Sequence, residues 1–319
     1  MTARGRVFLL VSLAAAAASG VVVIGVLATR SNVPSTKPRK GSPPLALDVG
    51  LRTDPEARAL QRAQVLYDRA RDPKRAAAIF SRYDSLEAQV GAAMASWPKG
   101  TVTRLQTLAA EHPRSALVAF HLGLALYWSR QDREAVTSWR AAEKVEPDSS
   151  YAVRAQDFLH PRFAPGLPAF VPSFPTPRLS GTPQGEVAQL ARAASRGGAH
   201  AKILYGVALQ HLDRPVSAEK QFAAAARAAP GDPEALAAAA VGLFDKDNPS
   251  LAFSRLGPLV RVFPYAQTVP FHLGLMLLWL AQLDRARLQL ERARAEDPRS
   301  LLGQQASQYL AFMRKAGTR

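Results

Sequence analysis

The chain has 319 residues, of which 48% are hydrophobic, and 41 Lys and Arg stand against 25 Asp and Glu for a net charge of +16. Such a composition excludes a disordered chain and supplies enough apolar surface for a large core. With no cysteine, disulfide frameworks, thiolate metal sites and cysteine nucleophiles are excluded.

The positive surplus points first to anionic surfaces such as lipid head groups or cell-wall polymers, and only secondarily to nucleic acid. Arg far outnumbers Lys and Ala is abundant, the imprint of a GC-rich bacterial genome, so part of the charge carries no function.

After a short basic tail, Val7 to Ala28 is an uncharged run of 22 residues, long enough as a helix to span a hydrocarbon core of roughly 30 Å. The reading is an N-terminal transmembrane anchor over residues 1–28. The alternative is a cleaved secretory signal, with Arg4 and Arg6 ahead of the run and Val26-Leu27-Ala28 at its end, although signal cores are usually only about 7 to 15 residues. The anchor implies a single-pass protein of the cell membrane with its C-terminal domain extracytoplasmic. Residues 29–55, rich in Pro, Ser and basic residues, read as a flexible linker.

From residue 56 onward helical periodicity dominates. The pentapeptide FHLGL stands at Phe120–Leu124 and again at Phe271–Leu275. The same offset also superposes Leu108 on Leu259, Pro113 on Pro264, Trp128 on Trp279, Ala135 on Ala286 and Pro147 on Pro298 without a gap. Pro230, Pro264 and Pro298 are 34 residues apart, as are Pro113 and Pro147, which sets the period. In three units a Gly (Gly123, Gly206, Gly274) precedes a small residue (Ala135, Ala218, Ala286), a bulky one (Trp139, Phe222, Leu290), an Ala (Ala142, Ala225, Ala293) and a Pro, always at the same spacing. Small side chains permit two helices to approach closely, and Pro ends the second helix.

On these residues the chain resembles the tetratricopeptide repeat family. The resemblance implies an all-α, right-handed superhelical solenoid over residues 56–300, closed by a capping helix and tail at 301–319. Weaker units fit residues 233–266, with Ala240 in place of the Gly, and residues 82–115, while Tyr67, Ala76 and Phe80 mark a degraded opening unit. A Pro-rich insert at 160–183 interrupts the array; the helical stretches on either side, SYAVRAQDFL and GEVAQLARAASRG, read as two halves of one split hairpin.

In this family the first helix of each hairpin lines the concave wall. Helical spacing puts Leu117, Phe120, Leu124, Tyr127 and Trp128 on one stripe, and Phe271, Leu275, Leu278 and Trp279 on its counterpart, with Ile203 and Val207 at matching places between them. These residues are the candidate partner-binding groove; the alternative is ordinary core between neighbouring hairpins. Phe163, Phe170 and Phe174 of the insert are costly to leave in water and are candidates to cover that groove. The acidic-tail clamp of one branch of the family, built from Lys, Arg and Asn, is not implied, because Phe120, Leu124, Ile203, Val207, Phe271 and Leu275 occupy its positions.

Catalytic patterns are thin. The six His are scattered, with His121 and His272 at equivalent repeat sites, as structural residues fall. The run Asp245-Lys246-Asp247-Asn248 makes a turn ahead of Pro249 rather than a calcium loop, lacking the Gly and distant Glu of one. The expectation is a non-catalytic scaffold without cofactor or small-molecule substrate. It binds a protein or peptide through an apolar, aromatic groove, possible settings being envelope or secretion complexes. The alternatives are a basic regulator binding nucleic acid or another polyanion, or a non-catalytic subunit of an enzyme complex.

Overall fold

The computed structural model describes residues 39–317, and no strand occurs among them. The chain divides between Leu159 and His160 into two compact units, each with its own hydrophobic core.

The first unit opens with an extended segment, residues 39–54, followed by seven helices: α1 (Pro55–Asp68), α2 (Pro73–Phe80), α3 (Leu86–Ala95), α4 (Thr101–Glu111), α5 (Ala116–Trp128), α6 (Asp132–Val145) and α7 (Ser150–Leu159). The second opens with the Pro-rich insert and continues through α8 (Pro183–Arg196), α9 (Ala199–His211), α10 (Pro215–Ala228), α11 (Pro233–Gly242), α12 (Pro249–Leu256), α13 (Leu259–Val262), α14 (Thr268–Trp279), α15 (Leu283–Glu296) and α16 (Leu301–Gly317). Within each unit, neighbours in sequence pack as antiparallel hairpins, and one hairpin leans on the next.

Local sequence dictates these boundaries. Pro occupies the first turn of α1, α2, α8, α10, α11 and α12, where its missing N–H costs nothing. Asp54, Ser85, Ser115, Thr182 and Asp232 cap helix starts through their side chains. Four hairpins turn in one way. Arg71, Arg130, Asp213 and Ala281 sit at φ of 51°, 70°, 52° and 57°. The N–H of the residue after each returns to the carbonyl of Leu66, Leu126, Leu209 or Leu277, which closes the first helix.

The small residues act as the repeat pattern predicts. Trp139 lies on Gly123, Phe222 on Gly206 and Leu290 on Gly274, so that a Cβ added at Gly123 would stand 2.5 Å from Trp139 Cδ1. Ala135, Ala218 and Ala286 are buried at the same crossings. This is an all-helical arrangement of packed hairpins.

Three expectations change. Helices α7 and α8 are not the halves of one split hairpin: α7 packs on α5 and α6 and ends the first unit, whereas α8 packs on α9 and begins the second. Residues 39–54 are not the solvated linker their composition suggests, because Pro43, Leu45 and Val49 are buried against the helices. Third, no described helix is long and apolar enough to cross a membrane; the longest, α16, has 17 residues where about 20 predominantly apolar ones are needed. This overturns the expected single-pass location in the cell membrane. The run Val7 to Ala28, from which that expectation came, lies outside the described residues.

Candidate functional site

The predicted groove residues are mostly buried: Leu117, Phe120, Leu124, Ile203, Val207, Phe271, Leu275, Leu278 and Trp279 each keep under a tenth of their surface, while Tyr127 and Trp128 are half-buried. The Phe of each pentapeptide packs on the helix that closes its unit. Phe120 meets Tyr151 and Phe158 of α7, and Phe271 meets Tyr309 of α16, so both serve the stacking of hairpins. It is the following residue, His, that meets an extended segment of chain.

In the first unit that segment is residues 39–49. His121 is fully buried and donates from Nδ1 to the Leu117 carbonyl at 2.8 Å. Its Nε2 lies 3.2 Å from the Ala46 nitrogen. A backbone N–H can only donate, so Nε2 carries the lone pair and the ring is neutral. Burial pushes the His121 imidazole down to about 4. Around this contact, Gln64 of α1 accepts from the Leu47 N–H (3.2 Å) and donates to the Leu45 carbonyl (2.9 Å). Tyr151 accepts from the Asp48 N–H at 2.8 Å, and Asp68 accepts from the Leu45 N–H at 3.1 Å. The Tyr67 hydroxyl donates to the Pro43 carbonyl at 2.8 Å, and burial pushes that phenol up to about 12. Arg39 lies over the Tyr127 ring, donates to the Tyr127 carbonyl and pairs with Asp132 at 3.1 Å.

The second unit repeats the device with the insert. His272 donates from Nδ1 to the Thr268 carbonyl (2.7 Å), its Nε2 accepts from the Val171 N–H (2.9 Å), and burial pushes it down to about 4 as well. Gln210 of α9 accepts from the Phe170 N–H at 2.8 Å and reaches the Pro168 carbonyl at 3.5 Å. Glu234 of α11 accepts from the Ser173 N–H at 2.6 Å and from its hydroxyl at 2.8 Å; desolvation raises its carboxyl above the usual range. The insert is also held at its start. Buried Lys246 donates to the Ala164 carbonyl at 2.8 Å, Asp247 meets His160 at 2.8 Å, and the Trp279 indole donates to the Gly166 carbonyl at 3.1 Å. The Asp245 to Asn248 turn is therefore an anchor for the insert.

Each Phe of the insert stacks on a His: Phe163 on His160, Phe170 on His272 at 4.2 Å between ring centres, and Phe174 on His200 at 4.0 Å. Phe170 keeps 1% of its surface; Phe163 and Phe174 are half-buried. Neither His121, His272, Gln64, Gln210, Tyr151 nor Glu234 is singled out as a groove residue by sequence. The one available signal is that His recurs inside FHLGL together with the Gly. Among the described residues no group of three His, Cys, Asp or Glu is placed to hold a metal ion.

No family model matches the chain, and no curated protein matches it. Seventeen chains of solved structures do. One is in the crystal structure of the APC/C hetero-tetramer Cut9-Hcn1, 14% identical with a TM-score of 0.27, where the match covers 82% of this chain and 55% of the other. Another is yeast Tom70, 13% identical with a TM-score of 0.33, covering 94% and 69%. The chain thus spans about half the length of the first of these.

Proposed function

We propose that this tetratricopeptide-type array is a non-catalytic scaffold that binds a protein partner by holding an extended stretch of it along the inner wall of the first helices. The observation that carries this reading is that each unit already holds an extended segment there, gripped by side chains that address main-chain N–H and C=O groups. A wall that supplies Gln, His, Tyr and Glu partners to a backbone is built for extended chain rather than for a helix, whose main-chain groups are satisfied internally.

The test is a selection of short random peptides on the immobilised full chain, followed by hydrogen exchange of the complexes. Binding should slow exchange in α5 or α14. Selected peptides that protect only the second helices, or a selection that enriches nothing, would defeat the reading.

A further inference from the structure

The two segments held in the grooves, GSPPLALDV (residues 41–49) and GLPAFVPSF (residues 166–174), align without a gap. Gly41 and Gly166 both stand in the left-handed region, at φ of 85° and 70°, where a Cβ is disfavoured. Pro43 and Pro168 are both buried, and so are Leu45 and Phe170 two residues on, the period of an extended strand with one face inward. The N–H after the apolar anchor, of Ala46 or Val171, goes to the His of the FHLGL sequence. Two residues further, the N–H of Asp48 or Ser173 goes to Tyr151 or Glu234. Two stretches that share only Gly and Pro in identity thus present three aligned N–H groups, at 45/170, 46/171 and 48/173, to side chains of two separate grooves, the middle one to the same repeat-site His.

We propose that these are two copies of one groove-binding motif, Gly-x-Pro-x-[Leu/Phe], and that the partner of the second unit carries the same motif and takes the place of residues 166–174. This rests on the scaffold reading above and specifies its ligand. Three observations support exchange. The segment belongs to no repeat. Beyond Phe174 the chain runs exposed through Pro175 to Arg178, so that its downstream side has no buried anchor there. Finally, the large apolar side chains exposed among the described residues, Val65, Val136, Leu251, Val262, Tyr265, Leu288 and Leu301, include none of the predicted groove positions. An incoming apolar segment therefore gains access to the wall by displacing the one that covers it.

The experiment uses the full chain and the variant Val171→Pro, which deletes the N–H accepted by His272 while keeping the main chain extended. Fluorescein-labelled GLPAFVPSF is titrated into both and followed by anisotropy. Loss of one buried hydrogen bond from the internal segment should make the variant bind the peptide roughly tenfold tighter than the parent chain does. Unlabelled GSPPLALDV should compete for the same site, and GLAAAVPSF, which lacks the Pro and the anchor, should not. If GLAAAVPSF competes equally, or if neither GLPAFVPSF nor GSPPLALDV binds either chain, the motif falls, while the scaffold reading stands or falls with the random-peptide selection. A variant that dimerises and takes no peptide would assign the groove to a second copy and overturn the proposal. Should Val171→Pro not fold, Phe170→Ala is titrated in its place. Failure of both to fold would make the segment an inseparable part of the core, which also overturns it.

Discussion

His272 makes an acid-sensitive joint whose strength follows from its surroundings. Its Nε2 accepts the Val171 N–H, its Nδ1 proton is committed to the Thr268 carbonyl, and Phe170 stacks on the ring. A second proton would set one N–H against another inside a fully buried site. Desolvation by burial accordingly lowers the imidazole from 6.5 to about 4. The unfolded chain binds a proton at this residue below about pH 6.5, whereas the folded chain binds it only below about 4. Between these values the unfolded state holds the extra proton, so the stabilisation is complete above 6.5 and declines as the pH falls towards 4. For this residue the loss on going from pH 8 to pH 5 is about 2 kcal/mol, rising to about 3 kcal/mol below pH 4. His211, also lowered by burial, adds a loss of the same sign. Glu234 and Glu219, raised by desolvation, oppose it. Those contributions are common to a variant, so the decisive quantity is a difference. Urea unfolding of the parent and His272→Gln, each at pH 8 and pH 5, should show a pH penalty about 2 kcal/mol smaller in the variant. Because Glu234 and His272 both lie beside Thr268, nuclear magnetic resonance of the six His rings provides an independent reading. The rings of His121 and His272 should stay neutral down to about pH 4. An unchanged pH penalty in the variant, or a His272 ring that titrates near 6.5, would refute the assignment of the lone pair to Nε2.

Other expectations follow from single contacts. Gly274→Ala would place a Cβ 2.8 Å from Leu290 Cγ and 3.3 Å from the Ala286 carbonyl oxygen. Overpacking there should cost about 1–3 kcal/mol, more than the improved helix propensity of Ala returns, and thermal melts should show a lower midpoint. Ala281→Gly should do the opposite, raising stability by up to about 1 kcal/mol by relieving a left-handed Ala at φ 57°. Phe170→Ala should cost about 3 kcal/mol and speed hydrogen exchange of the Trp279 indole N–H, which donates to Gly166. Arg39→Ala, by contrast, should change stability by under about 1 kcal/mol, since its partner Asp132 is largely exposed.

The hairpins were legible because their determinants are local and periodic. Pro at helix stops, 34 residues apart from Pro113 to Pro147 and from Pro230 through Pro264 to Pro298, and Gly facing a bulky residue across one hairpin at a fixed spacing need no knowledge of distant contacts. The ligand grip was not legible, for two physical reasons. Helical spacing defines a stripe only to within a residue or so, and here the side chain that supports the next hairpin, Phe120, adjoins the one that reads the groove, His121. Spacing and hydrophobicity therefore favour the larger and more apolar of the two. The second reason is composition. Residues 41–49 hold a Gly, a Ser, two Pro and Asp48 beside four apolar residues, which as an isolated peptide would be solvated; Gln64, Tyr67, Asp68, His121 and Tyr151, all later in the chain, supply the partners of its main chain. The Phe-rich insert was easier to notice because its apolar content has no place in a solvated loop.

The placement of one His per groove sets what the wall can select. Hairpins at the corresponding repeat position carry Leu204 in α9 and Ala238 in α11, side chains that cannot accept an N–H, so at this repeat position in the second unit α14 alone supplies an acceptor. With the Nδ1 proton fixed by the carbonyl four residues back, Nε2 has one orientation and one receptive partner. That partner is the N–H immediately after the buried apolar anchor, in both grooves. The contact therefore fixes register: a shift of the segment by one residue would turn Leu45 or Phe170 outward and bring a solvent-facing side chain to the wall. Main-chain bonds from Gln, Tyr and Glu hold any extended chain, and a Pro at position 43 or 168 both pre-extends the chain and adds no N–H to satisfy. On the motif proposed above, selectivity would come from one apolar pocket and one Pro site, and affinity from the backbone, a division consistent with two segments of different sequence occupying the two grooves.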